Sequence, residues 1–233
     1  MADKLVVGAS GGIGAAFFNE LIQRNPDARV LGTSRQGSAS LLALDLSNPT
    51  SIDAFIERLS EREFALDQII IATGLLHKDE MGPEKSYREL DAAWMAQVMQ
   101  VNAIGPIYLL GKLVGLLGRK AKVQISLLSA RVGSISDNRL GGWYGYRASK
   151  AALNMYLKTL SIELARTHKG VQILSLHPGT TDTALSKPFQ ARVPADKLFT
   201  PEFAATSLLA VMQQAEGSGS GQFLAWDGQT ISW

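Results

Sequence analysis

The sequence has 233 residues, 46% of them hydrophobic and 19% charged, so it can bury a sizeable core and is short enough for a single domain. Its 23 basic and 21 acidic residues are scattered and leave a formal net charge of +2, which argues against a nucleic-acid partner or an anionic membrane surface. The lack of cysteine excludes disulfides, thiolate catalysis and cysteine-ligated metals, and because the three histidines show no ligand spacing we predict no metal site.

The first predicted unit is a strand, a glycine-rich turn and a helix. The strand, residues 4–7, contains the apolar run Leu5-Val6-Val7, which is too short for the core of a signal peptide, and with no targeting signal apparent we expect a cytoplasmic protein. The turn that follows permits backbone N–H groups to approach a phosphate at the helix N-terminus. A simple tight turn is the alternative, but the position between strand and helix favours a nucleotide site. Its predicted binding residues are Gly8, Ser10, Gly11, Gly12, Ile13 and Gly14.

The second predicted strand, residues 29–34, indicates which nucleotide binds. About 20 residues beyond the glycines, NAD-binding folds usually place an acidic residue for the ribose 2′-hydroxyl. Here Arg35 holds that place and follows Ser34. Since arginine can pair with a 2′-phosphate through charge-assisted hydrogen bonds, we predict NADP, with Ser34 and Arg35 as binding residues. The alternative is a surface arginine without a ligand.

Strands and helices alternate through the rest of the chain. Further strands are predicted at residues 41–46, 67–74, 122–129, 171–176 and 222–226, and helices at 15–22, from 48 onward, and at 90–118, 148–167 and 200–216. With right-handed crossovers, this alternation predicts a doubly wound α/β fold of the Rossmann type, with about seven mostly parallel strands in one domain. The ligand crevice should lie at the carboxyl ends of the strands, where every candidate site residue falls.

The apolar helix predicted at 90–118 has an expected irregularity near Gly105-Pro106. Because its most apolar part also contains polar residues and glycines, we favour a buried or interface helix over a membrane span. This helix and residues 151–164 carry apolar side chains on more than one face. We therefore predict a homo-oligomer, a dimer or tetramer, with close helix contact permitted by Gly111, Gly115 and Gly118.

The sequence Tyr146-Arg-Ala-Ser-Lys150 lies where a glycine-rich loop enters a helical pattern. Positions four apart share one helix face, so the ammonium can lie beside the phenol. A nearby cation favours phenolate and lowers a tyrosine pKa from its ordinary value of about 10, which suits a proton donor in carbonyl reduction. A solvated helix face is the alternative for the pair taken alone.

These residues resemble the short-chain dehydrogenase/reductase family over essentially the whole chain. Segments 132–135, 141–150 and 226–233 are similar to its C-factor and sniffer-like carbonyl reductase branch. The family motifs, in order, are Gly8-x-x-x-Gly12-Ile13-Gly14, Asp45-Leu46, Ala72-Thr73-Gly74, Asn102, Tyr146-x-x-x-Lys150 and Pro178-Gly179-x-x-x-Thr183.

The resemblance implies a role for each motif. Tyr146 would donate a proton to the carbonyl oxygen as hydride arrives from NADPH, Lys150 would lower the tyrosine pKa and hold the nicotinamide ribose, and Asn102 would anchor a water in the proton relay. Asp45 and Leu46 would border the adenine. The remaining implied cofactor residues are Ala72, Thr73, Gly74, Pro178, Gly179, Thr181 and Thr183.

Two departures from the family pattern concern the reaction. Ala72-Thr73-Gly74 replaces the usual Asn-Ala-Gly, and Ala130 stands where the family most often has its catalytic serine. For a group that polarises the carbonyl we place Ser129 first, since it remains in the strand-end motif, Ser134 second, and a site with neither third.

The prediction for function is an NADP-dependent oxidoreductase that reduces a small, fairly apolar carbonyl compound: a ketone, aldehyde or quinone. The alternative is an NADP-binding signalling or redox-sensing protein on the same fold. Residues 182–199, which we expect to fold over the pocket, mix apolar and basic side chains and do not identify the substrate.

Overall fold

Seven parallel strands form the central sheet of the computed structural model, which describes residues 3–61 and 64–233. Within these residues the strands are β1 (Asp3–Val7), β2 (Arg29–Ser34), β3 (Leu42–Ala43), β4 (Leu66–Ile71), β5 (Val123–Leu128), β6 (Val171–His177), β7 (Thr180–Thr181), β8 (Leu198–Phe199) and β9 (Gln222–Ala225). The sheet order is β3-β2-β1-β4-β5-β6-β9, while β7 and β8 form a small parallel pair of their own. The winding reverses between β1 and β4, which confirms the predicted doubly wound α/β fold.

Helices cover both faces of this sheet. They are α1 (Gly12–Arg24), α2 (Pro49–Ser60), α3 (Ala92–Met99), α4 (Gly105–Leu116), α5 (Tyr144–Thr167) and α6 (Pro201–Gln214). Helices α2, α4 and α5 pack on strand residues such as Leu5 and Ile69, whereas α1 and α6 pack on Val6 and Ile70. Neighbouring strand residues thus point to opposite, equally buried faces, which explains the continuous apolar sequence of the central strands.

Local sequence determines where several helices begin. The side chains of Asn48, Asp91 and Thr200 accept hydrogen bonds from backbone N–H groups in the first turns of α2, α3 and α6, at distances between 2.7 and 3.1 Å. These bonds satisfy donors that the first turn of a helix cannot pair internally.

A π-helical turn, Gln100–Ile104, separates α3 from α4. The N–H of Gly105 bonds back to the Gln100 carbonyl, five residues earlier. Pro106 has no N–H with which to continue the α-helical pattern, and a Cβ on Gly105 would overlap the Leu46 carbonyl oxygen. The predicted irregularity at this place is confirmed, and the π turn carries Asn102.

The stretch Ala92–Leu116 is long and apolar enough to cross a membrane by length and composition alone. Half of its most apolar 18-residue window is buried, however, and Leu109, Leu110 and Leu113 are fully enclosed against the sheet. Packing in the core accounts for its apolar composition, as predicted for a buried helix.

Two predicted elements differ most from the structure. The third strand, predicted at 41–46, pairs only over Leu42–Ala43, because the chain then leaves the sheet and buries Leu44 and Leu46 beneath α2 and α4. The helix predicted from residue 148 begins at Tyr144. It follows three consecutive residues with left-handed backbone, at φ values of +63°, +66° and +54°, that end with Trp143.

Candidate active site and cofactor cleft

The glycine turn between β1 and α1 has a shape that requires glycine at two positions. Gly8 has a φ of +86°, in the left-handed region. Gly14 packs so closely on the Gly8 carbonyl that a Cβ there would overlap it. Gly11 precedes α1, whose first N–H groups have no partner within the helix and lie beside the cleft. The turn therefore fits a pyrophosphate held by backbone donors.

Two adjoining cavities run from this turn along the carboxyl ends of the strands. The outer cavity, of about 360 Å³, contains the predicted residues Gly8, Ser10, Gly11, Ser34, Arg35, Asp45, Leu46, Ala72, Thr73 and Gly74 in its wall. The inner cavity, of about 270 Å³, shares four of these, Gly11, Ala72, Thr73 and Gly74, and adds Gly12, Ile13, Ser129, Tyr146, Lys150, Pro178 and Thr183. Together they fit an extended dinucleotide across the point where the winding reverses.

Three predicted cofactor residues lie elsewhere. Gly14 is behind the turn, where it permits the close contact with Gly8. Gly179 and Thr181 line a third cavity, described below, rather than either half of the dinucleotide cleft. Both residues come after β6 in the chain, as the family motif predicts. The backbone places them beyond the inner cavity, in the wall of the third one.

The outer cavity has two cations in its wall. Arg35 is exposed at its rim after β2, and Lys78 joins it from the loop after β4. Lys78 was not predicted as a site residue, because a single lysine in a loop far along the chain carries no pattern. Two cations and the hydroxyl of Ser34 make this end of the cleft suitable for an anionic group.

Tyr146 and Lys150 are brought together in the inner cavity by the first two turns of α5. They are 9% and 2% exposed, and Lys150 Nζ lies 5.9 Å from the centre of the Tyr146 ring. Lys150 Nζ donates to the Leu128 carbonyl at 2.8 Å, which ties α5 to the end of β5. The two groups are thus fixed against the sheet rather than on a solvated helix face.

Burial sets the protonation of this pair. It raises the pKa of the Tyr146 phenol to about 12 and lowers the pKa of the Lys150 ammonium to about 8, because each charged form loses solvation. The tyrosine pKa below its ordinary value that we predicted is therefore not found in this structure, because desolvation raises the pKa instead. The phenol remains protonated at neutral pH, which is the form that donates a proton.

Asn102 connects the loop after β4 to α5. Its Oδ1 accepts from Leu75 N at 2.7 Å, and its Nδ2 donates to Leu75 O at 2.8 Å and to Ser149 Oγ at 3.0 Å. Ser149 Oγ in turn donates to the Tyr146 carbonyl at 2.8 Å. Asn102 is therefore a positioning residue here, because both amide hydrogens hold protein groups. Its predicted role in anchoring a water stays a prediction.

A third cavity of about 320 Å³, here called the aromatic cavity, opens beside Tyr146. Trp143 and Phe189 meet edge to face there, with ring centres 5.2 Å apart, and Trp143 lies 6.1 Å from the Tyr146 ring. Phe189 belongs to the segment between β7 and β8. The pairing of these two strands holds the segment over the site. This segment was predicted to cover the pocket, whereas Trp143 was not predicted as a site residue. The cavity suits a largely apolar molecule next to the phenol.

A family model described as short chain dehydrogenase matches residues 4–193. The chain belongs to the short-chain dehydrogenase family. A relative from Rhodococcus sp. (strain AD45), 1-hydroxy-2-glutathionyl-2-methyl-3-butene dehydrogenase, is 33% identical over 241 aligned residues that span 100% of both proteins.

Two solved structures of similar proteins contain the predicted cofactor. A short-chain dehydrogenase/reductase from Burkholderia multivorans with bound NADP has a TM-score of 0.83 and 28% identity, covering 100% of this chain and 99% of that one. An NADPH-bound carbonyl reductase from chicken fatty liver has a TM-score of 0.81 and 25% identity, with the same coverage. These similarities confirm the predicted family and its carbonyl reductase branch, and the NADP(H) cofactor.

The two serines proposed to polarise a carbonyl in this dehydrogenase have their hydroxyls hydrogen-bonded to other protein groups. Ser129 Oγ donates to Asn154 Oδ1 at 2.7 Å, an oxygen that also accepts from Ser175 Oγ at 2.7 Å. Ser134 Oγ donates to the Ser232 carbonyl at 2.6 Å. Each hydroxyl has one proton, and both are used within the protein. These hydrogen bonds oppose the predicted role of Ser129 first, and Ser134 second, as the donor to a carbonyl, since strand alternation directs Ser129 toward α5, and that role stays a prediction.

Glu84 is a buried residue of this dehydrogenase that was not predicted from the sequence. It is 3% exposed, and its Oε2 accepts from the Gly145 N–H in the first turn of α5 at 2.9 Å. A Cβ on Gly145 would lie 2.9 Å from the other carboxylate oxygen. Since α5 has no capping side chain of its own at Trp143, this carboxylate replaces the usual N-cap and complements the helix dipole.

We expect Glu84→Ala to lower the free energy of unfolding by about 1–2 kcal/mol, because it removes a helix cap and leaves a buried N–H unpaired. Glu84→Gln keeps an oxygen acceptor and should lose less. Urea unfolding measures both, with the exposed Glu80→Ala in the same loop as control. Equal stabilities of Glu84→Ala and Glu80→Ala would contradict the role of Glu84 as a cap.

Proposed function

We propose that this short-chain dehydrogenase reduces a small, largely apolar carbonyl compound with NADPH. The observation that carries the proposal is the buried, protonated Tyr146 phenol between the inner and aromatic cavities. A donor in this position faces a cofactor on one side and an apolar substrate on the other. The chicken carbonyl reductase and the Rhodococcus dehydrogenase of a 1-hydroxy compound support a reaction between a carbonyl and an alcohol.

The residues divide the reaction between them. NADPH, when bound, supplies the hydride that reduces the carbonyl carbon. Tyr146 gives its phenol proton to the carbonyl oxygen, so the product is an alcohol, and the phenolate regains a proton from solvent. The Lys150 ammonium, 5.9 Å from the ring centre, stabilises that phenolate. The Leu128 carbonyl and the Asn102–Ser149 hydrogen bonds hold both side chains in place.

The direct test follows NADPH absorbance with a panel of aldehydes, ketones and quinones. Wild-type protein should oxidise NADPH with at least one class, and Tyr146→Phe should lose about 10²-fold or more of the turnover because it keeps the ring and lacks the proton. Its NADPH affinity should stay nearly unchanged in titration calorimetry.

Tyr144→Phe is the matched control, because Tyr144 lies in the same turn and is 40% exposed. Turnover by Tyr146→Phe at the level of this control would refute the assignment of the proton donor. Tight NADPH binding by wild-type protein with no turnover on the whole panel would instead favour the redox-sensing alternative.

Arg35 is proposed as the partner of the cofactor 2′-phosphate. Arg35→Asp removes the cation and adds repulsion, so NADPH affinity should fall about 10- to 100-fold while NADH affinity does not fall. Calorimetric titration of both cofactors measures this. Arg119→Asp makes the same charge change after α4, at the amino ends of the strands, and serves as control. An unchanged preference in Arg35→Asp would make Lys78 the better candidate.

A homo-oligomer and a cytoplasmic location stay predictions. Exposed apolar side chains on α4 and α5, Tyr108, Leu116, Met155 and Ile162, support contact with a second copy. A Cβ at Gly111, Gly115 or Gly118 would meet open space, so a neighbouring helix could approach there. A monomer mass in light scattering over a wide concentration range would contradict the oligomer.

A further inference from the structure

We propose that His177 polarises the substrate carbonyl, donating a hydrogen bond from Nε2–H to its oxygen while Tyr146 supplies the proton. The inference rests on the proposed carbonyl reduction. Ala130 has a methyl side chain and cannot donate a hydrogen bond, so another group has to polarise the carbonyl.

His177 lies next to that position. It is the last residue of β6, whose register with β5 pairs Leu128 with Leu176, and Ser129 N donates to the Leu176 carbonyl at 2.7 Å. The pair that follows along the two strands is Ser129 and His177. In the aromatic cavity His177 shares the wall with Ala130 and Tyr146.

The side chain lies on the face of the sheet that carries the proton donor. Ser175, two residues earlier on β6, donates to Asn154 of α5. Side chains two apart along a strand point to the same face, so His177 is on the α5 side. Tyr146 projects from the beginning of that helix. The imidazole and the phenol therefore reach the aromatic cavity from the same side of the sheet.

The hydrogen bond at the other ring nitrogen fixes the tautomer. Arg131 N donates to His177 Nδ1 at 3.3 Å, so Nδ1 carries a lone pair and a neutral ring carries its hydrogen on Nε2. Within residues 3–61 and 64–233, no protein group accepts a hydrogen bond from Nε2. An unpaired donor in the wall of an apolar cavity is available to a substrate oxygen.

The environment of His177 keeps the ring neutral. Burial, helped by Arg131, lowers the pKa of the imidazole to about 4, although Asp227 and Asp137 act in the opposite direction. A neutral imidazole gives up its remaining proton far less readily than a phenol, so it polarises a carbonyl by hydrogen bonding and leaves proton transfer to Tyr146. The roles of the two groups are thus distinct.

Substitution separates this role from a structural one. His177→Ala should lower kcat for a carbonyl that the wild type reduces by about 10²-fold, the usual effect of removing a donor to a developing oxyanion, with NADPH affinity nearly unchanged. His177→Gln keeps an N–H donor and an acceptor for Arg131 N, so it should retain more turnover. His168→Ala, at the far end of α5, is the histidine control.

The decisive experiment uses a double variant that combines Ala130→Ser with His177→Ala. A hydroxyl at position 130 supplies the missing donor, so this double variant should regain at least about tenfold of the lost turnover. A histidine that only holds Arg131 would not be replaced by a hydroxyl at Ala130. Full turnover in His177→Ala, or no recovery in a double variant that is folded by thermal melting, would overturn the proposal.

Nitrogen-15 NMR of the three histidines provides a readout without turnover, and the His177→Gln spectrum assigns the signal. The expected ring is neutral at pH 7 with hydrogen on Nε2, whereas hydrogen on Nδ1 would overturn the inference. Wild-type protein without turnover on any carbonyl would overturn the proposed function and this role with it. Wild-type turnover that His177→Ala retains would overturn the role of His177 alone.

Discussion

Burial of the Tyr146–Lys150 pair is the constraint on which the site depends. Removing both groups from water opposes their charged forms, so the phenol holds its proton and the ammonium is close to losing its own. Such a pair has to be held by other groups, because two free side chains would turn toward solvent. The Leu128 carbonyl, the Asn102–Ser149 hydrogen bonds and the Glu84 cap each fix one part of α5. The hydrogen bonds that fix α5 in the fold therefore also hold the reacting side chains in position.

The reversal of strand order gives these side chains their position in the cleft. Between β1 and β4 the chain winds in opposite directions, and the loops separate to leave the outer and inner cavities. The glycine turn lies where the two cavities join, and the aromatic cavity opens beyond Tyr146. A cofactor and an apolar substrate would thus approach the phenol from different sides, which limits the contact of the reacting atoms with water.

Much of this arrangement could be predicted from sequence because it depends on local patterns. Alternating strands and helices, the glycine turn and the spacing of Tyr146 and Lys150 are all visible along the chain. The early start of α5 could not be predicted in this way, since its cap, Glu84, comes from a loop 61 residues away. The direction of the Ser129 hydroxyl was also missed, because it depends on which strand face α5 covers. The direction of the Tyr146 pKa shift was missed as well, because the burial of the phenol depends on tertiary packing.

The most direct test of this account is the titration of Tyr146 by carbon-13 NMR, with tyrosine labelled at Cζ and the resonance assigned by its loss in Tyr146→Phe. Burial predicts that the Tyr146 resonance keeps its protonated shift beyond about pH 10, the ordinary phenol value, consistent with a pKa of about 12. Ionisation of Tyr146 near neutral pH in the free protein would contradict the account, because it would show that the Lys150 charge outweighs desolvation.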